Sequence, residues 1–199
     1  MGISNEGDLE MIPSIHRSSV IGPKSVLMGK VNVKRLAYIG CGTLIKGNDS
    51  YPIYIGERAN IHDHSLLQCQ PLRFVEIGIQ KYSLYVDDDV TILENTMAHG
   101  PLSIGKNSLI GQNVLIYQAE IGSSCVVMHG AIIANNVKIP CGRFVGHREH
   151  VYSQAQADGL PVVPEKYQFL NEKIVDFYMR IRKNYKENIE LSLLNTKVL

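Results

Sequence analysis

Over most of the chain an aliphatic residue falls at every sixth position, with mainly polar or small residues between. From Ile21 the beat runs through Leu27, Val33, Ile39 and Ile45, then Ile55, Ile61 and Leu67. It resumes at Val86, Ile92, Ala98, Ile104, Ile110 and Ile116, and again at Ile121, Val127, Ile133, Ile139 and Val145. Glycine often follows, as in Ile39-Gly40, Ile55-Gly56, Ile104-Gly105, Ile110-Gly111 and Ile121-Gly122. A short fixed period of this kind marks a hexapeptide-repeat β-helix, an all-β solenoid. Three hexads close one triangular turn, so residues about eighteen repeat positions apart stack one sheet spacing (~4.8 Å) apart.

The interruptions divide the chain. Residues 1–18, with Pro13 and a lone His16, are expected to cap the end coil, whose core and strand edges would otherwise be bare. The parallel β-helix is expected over 19–151, with loop insertions at about 46–54 and 69–85. Ile45 and Leu67 are three beats apart, so both insertions leave the same triangular face and form a rim, where function tends to concentrate. Residues 152–199 begin with a linker containing Gly159, Pro161 and Pro164. There follows a helical stripe of Tyr167, Leu170, Ile174, Phe177, Tyr178, Ile181 and Tyr185 among lysines and glutamates. That amphipathic helix is expected to lie on its own β-helix or on a sister subunit.

Composition narrows the function classes. At 199 residues and a net charge of +1, with the two signs interspersed, the chain has room for one domain and carries no electrostatic footprint for nucleic acid. It has no apolar run of membrane-spanning length, and its start lacks the basic and apolar stretches of a signal peptide, so a cytoplasmic protein without membrane partners is expected. Cys41, Cys69, Cys125 and Cys141 form no Cys-x-x-Cys pair and read as free thiols of a reducing compartment.

Candidate chemistry emerges from the same register. Just after the beat, one face carries Lys46, Gln68, His99 and Tyr117 in a vertical polar column beside both insertions. On another face, Asp63 and Glu94 share a column with His62 beside them. One β-helix points these faces apart. They meet only when subunits pack side by side in a closed ring, most simply a homotrimer, with a small molecule as the other partner. His64, His129, His147 and His150 have no partner in this register and read as surface or loop residues.

At these positions the chain resembles the γ-class carbonic anhydrases. Residues 52–63, PIYIGERANIHD, resemble that family's strand after its first loop, and 81–86, KYSLYV, the exit from its second. Ala98-His99-Gly100-Pro101 resembles its last ligand motif. Residues 153–158, SQAQAD, followed by Leu160-Pro161, resemble its lead into the C-terminal helix. The likeness runs from about residue 10 to 190.

The resemblance implies a left-handed parallel β-helix in a side-by-side trimer, with one zinc or iron held between subunits by three histidines. Those ligands fall on Gln68, His99 and Glu94, so two of the three are not histidine here. The family's first-loop polar residues fall on Lys46, Asn48 and Asp49, and its active-site Asn, Gln and Asp on Asn60, His62 and Asp63. Asn48, Asp49, Asn60, Asp63 and Tyr117 are accordingly expected around a small carbonyl or acyl substrate.

Three readings stay open. One is a relocated metal site of His62 and Glu94 from one chain with His99 from the next, serving a hydratase, lyase or hydrolase. Another is metal-free acid–base chemistry or acyl transfer, with His99 as general base, Glu94 orienting it, Gln68 donating to an oxyanion and Lys46 holding an anion. The third is a structural or assembly subunit without catalysis.

Overall fold

The computed structural model describes residues 12–195 and is a parallel β-solenoid followed by a C-terminal helix. The aliphatic beat points inward. Ile39, Ile45, Ile61, Leu67, Ile92, Ile104, Ile110 and Ile116 are wholly buried in one continuous core. Each inward residue rests on its counterpart one coil away, so removing these ladders from water drives the coil to close.

Three faces surround this core. The first stacks Val26–Met28, Leu44–Lys46, Leu66–Gln68 and then the beginnings of two long strands, Met97–Ile104 and Leu115–Ile121. The second stacks Val31–Val33, Ile53–Ile55, Leu84–Val86 and the far ends of those same long strands, followed by Val137–Ile139. The third is a seven-stranded parallel sheet that includes Tyr38–Ile39, Asn60–Ile61, Thr91–Ile92 and Leu109–Ile110. At the corners successive coils nearly touch. A Cβ on Gly111 would lie 2.7 Å from the His129 backbone nitrogen, which explains a glycine just after the beat there.

Three boundaries differ from expectation. Ser14–Ile15 already pairs with the strand at Val31–Val33, so the coil starts inside the segment expected to cap it; residues 1–11 of that segment lie outside the described residues. The first insertion is confined to 47–52, because Lys46 ends one strand and Ile53 begins the next. The second contains an antiparallel hairpin, Val75–Ile77 with Gln80–Tyr82. Gly78, at φ +62°, takes the first central position of its two-residue turn, where hairpin twist favours positive φ.

Beyond the coils, helix α1 (Gln154–Asp158) starts in a capping box between Ser153 and Gln156. Helix α2 (Leu170–Asn195) crosses the third face. Most of its apolar stripe packs as the spacing suggests, Leu170 and Ile174 on the cluster of Leu109, Val126, Met128 and Val163, and Tyr178 and Tyr185 near Tyr38. Asn171 and Val175 are buried, Tyr178 packs on Tyr38, and Arg182 Nη1 donates to the Leu36 carbonyl, while Phe177 remains 49% exposed. Asn171 Nδ2 donates to the Asp89 carbonyl and anchors the first turn. Among the described residues no helix is long and apolar enough to cross a membrane.

Candidate functional site

The first face assembles the polar column rung by rung. Lys46 lies opposite Gln68, Gln68 opposite His99, and His99 opposite Tyr117. The His99 ring stacks on Tyr117 with centroids 5.0 Å apart and 20° between planes. His99 Nδ1 is buried without a hydrogen-bond partner. The Lys46 ammonium has no carboxylate partner among the described residues.

Tyr117 is held in turn. Gln70 Nε2 donates to its hydroxyl at 2.8 Å, and Gln118 Nε2 donates to Gln70 Oε1 at 2.7 Å. Asn48 serves the rim. Its Nδ2 donates to the Gln70 carbonyl, while its Oδ1 accepts from the Ser50 and Tyr51 amides. Asp49 accepts from the Ser50 hydroxyl. These contacts order the first insertion around the column.

A second cluster sits at the corner between the third and first faces. His62 Nδ1 lies 3.1 Å from Glu94 Oε1, and Gln112 Nε2 donates to Glu94 Oε2 at 2.8 Å. Partial burial pushes the Glu94 carboxyl up, but hydrogen bonds from Gln112, its own backbone and His62 outweigh it, and the net shift is downward. Asp63 has a different occupation, accepting from the Cys41 amide at 2.8 Å. Asn60 and His62 are buried beneath α2, and the Tyr178 ring lies 4.7 Å from that of His62. Burial, with charge on Tyr185, Glu94 and Asp63 adding to it, pushes the Tyr178 phenol up to about 12, so it stays neutral near pH 7.

One chain therefore gathers Lys46, Gln68, His99 and Tyr117 on one face, and His62 with Glu94 at the next corner. It does not bring the two sets together. Among the described residues no three of His, Cys, Asp and Glu converge as a metal site. The donors fit the three-histidine centre poorly: Gln68 offers only a neutral amide, and both Glu94 oxygens already accept hydrogen bonds. His62 turns one ring nitrogen to Glu94 and buries the other.

Histidines read as unpartnered do have neighbours. His129 Nδ1 accepts from the Gln112 amide, the His129 and His147 rings lie 5.2 Å apart, and His150 lies beside Tyr152. Gln112 is the residue that register reasoning overlooked although it was within reach, since it follows Gly111 just as Glu94 follows Leu93 one coil earlier. The roles of Gln70, Gln118 and Tyr178 carry no such signal: Gln118 sits in the strand Leu115–Ile121 but acts on the loop residue Gln70, and Tyr178 meets His62 only through the docking of α2.

Comparison with known proteins follows the same outline. No family model matches the chain. Over 187 residues it is 27% identical to a carbonic anhydrase of Methanosarcina thermophila, covering 88% of this chain and 75% of that protein. Over 172 residues it is 30% identical to the carboxysome assembly protein CcmM of a Nostoc species, covering 86% of this chain. The chain spans 31% of that relative's length. Among solved structures, a Bacillus cereus protein provisionally named an acetyltransferase superposes with a TM-score of 0.72 at 25% identity, over 90% of this chain and 94% of that one.

Proposed function

Because the chain belongs to the γ-carbonic-anhydrase-like hexapeptide-repeat family, we propose that it forms a left-handed, side-by-side homotrimer with acid–base sites between its subunits. The observation that carries this reading is the first face itself. Beside the polar column runs an apolar one, Val26, Leu44, Leu66, Met97, Leu115 and Ile132, joined strand to strand. Val26 is 45% and Met97 44% exposed in the single chain, and a contiguous apolar strip of this kind calls for a cover. A second copy that covers it brings its own Glu94 corner toward His99, the geometry a closed ring repeats at every interface.

In that cleft His99 is the one imidazole of the column, and it acts as general base toward a water or hydroxyl attacking a small carbonyl or acyl compound. Such a base contributes roughly 10²–10⁴-fold to the rate. The neighbouring copy's Glu94 orients the ring and stabilises the imidazolium, in the manner of an aligned histidine–carboxylate pair. The Gln68 amide N–H groups donate to the oxyanion as it forms, a contribution of about 10²–10³-fold where such donors have been removed. Lys46, without a carboxylate partner, receives the substrate's anionic end. Hydratase, lyase, hydrolase and acyl-transfer steps all need this same proton traffic, and none of them here is routed through a metal.

The test uses protein purified without chelator or metal-affinity tag, assayed for p-nitrophenyl acetate hydrolysis. The expected result is turnover that survives chelator dialysis and falls about a hundredfold in His99→Gln. Equal turnover in the variant, or turnover that zinc alone restores, would overturn the reading.

A second reading, a non-catalytic assembly subunit, is favoured by the 30% identity to a carboxysome assembly protein together with the replaced ligand positions. It predicts no turnover in the parent protein and an intact oligomer in His99→Gln.

A further inference from the structure

Three buried polar side-chain atoms of the third sheet and the corner beside it lack partners among the described residues. His62 is 5% exposed, and its Nε2 is buried with no hydrogen bond. Asn60 and Thr91 face one another on adjacent strands of the third sheet, and Asn60 Nδ2 and Thr91 Oγ1 are likewise buried and unpartnered. The rings of Tyr38 and Tyr178 roof the cluster, 6.2 Å and 4.7 Å from the His62 ring.

The donor and acceptor types fit one another. Glu94 can only accept from His62, which places a proton on Nδ1; in the neutral ring Nε2 is then an acceptor. The Asn60 amide nitrogen can only donate. Buried polar atoms are almost always satisfied, and none of these three has a partner among the described residues. The Thr91 hydroxyl can take either role.

We infer that His62 is a positioning residue: buried beneath the Tyr178 ring, it aims Nδ1–H at Glu94 and fixes the carboxylate presented to the neighbouring copy's His99. This rests on the intersubunit acid–base reading above. Gln112 holds the other carboxylate oxygen, so both oxygens are engaged from within the chain. A carboxylate held at both oxygens cannot swing, and orientation of this kind is worth much of a catalytic group's effect.

Two measurements test the inference on the full-length protein. In ¹⁵N-histidine-labelled protein at neutral pH, long-range ¹H–¹⁵N correlation should show His62 as the neutral Nδ1–H tautomer. The Nε2–H tautomer, or a ring protonated on both nitrogens, would overturn the lock. In the p-nitrophenyl acetate assay, His62→Leu should lower kcat about tenfold with KM nearly unchanged, while His62→Gln, which keeps an N–H donor, restores most of it. Equal kcat in parent and His62→Leu, or failure of His62→Gln to restore more than His62→Leu, would overturn the positioning role. If the parent shows no turnover, the acid–base reading falls by itself, and the tautomer still decides whether His62 is locked onto Glu94.

Discussion

Glu94 shows how one side chain can be half legible. Its place in a corner column with Asp63 follows from counting hexads, because a six-residue period assigns every residue a face and a height. Its electrostatic state depends on Gln112 and His62, which come from coils above and below it. With its folded-state pKa depressed, Glu94 adds stability above its unfolded value of about 4.3, and that contribution disappears as pH falls through the lower folded value. Glu94→Gln should therefore melt below the parent at pH 7 and converge with it near about pH 3. The expected difference at pH 7 is under about 1 kcal/mol, since the carboxylate is partly screened by solvent. Thermal unfolding at the two pH values checks this, and a constant gap would remove the assigned hydrogen bonds from the account. His62 was less legible than Glu94. A histidine beside the beat reads the same whether it faces solvent or lies under a helix, and only the roof of Tyr38 and Tyr178 distinguishes the two cases.

At the level of elements, the strands follow from periodicity, while the inserted hairpin and the setting of α2 do not. The hairpin between Val75 and Tyr82 makes its ladder within itself, so no hexad marks it. For α2 the apolar spacing indicates Leu170, Ile174 and Tyr178, which pack, and Phe177, which stays exposed, while Asn171, Val175 and Arg182 join the contact face through burial and hydrogen bonds to Asp89 and Leu36. Tyr178 is the residue that ties this helix to the polar cluster. Replacing it with Ala should destabilise the helix by about 2 kcal/mol, a partly buried aromatic costing less than a fully buried one. Hydrogen–deuterium exchange should then quicken in 170–182 and leave the coil strands unchanged. Unaltered exchange in the helix would mean that Asn171 and Val175 alone hold it down.

For the whole molecule, the decisive feature is that the candidate residues sit on two faces one chain cannot join. The apolar column on the first face supplies the test. Met97→Glu puts a charge in the middle of that strip without touching the core, so it should break the proposed trimer into monomers while the coils keep their thermal unfolding. Light scattering coupled to size-exclusion chromatography reads the outcome, and a monomeric parent protein would sink the proposed intersubunit cleft. By itself the sequence determined the solenoid, its inward ladder and the alignment of Lys46, Gln68, His99 and Tyr117, because each depends only on a short period repeated along the chain. Tertiary structure alone decided the hairpin, the polar anchoring of α2 and the enclosure of His62 against Glu94. Those outcomes depend on groups far apart in the chain, whose meeting leaves no local pattern in it.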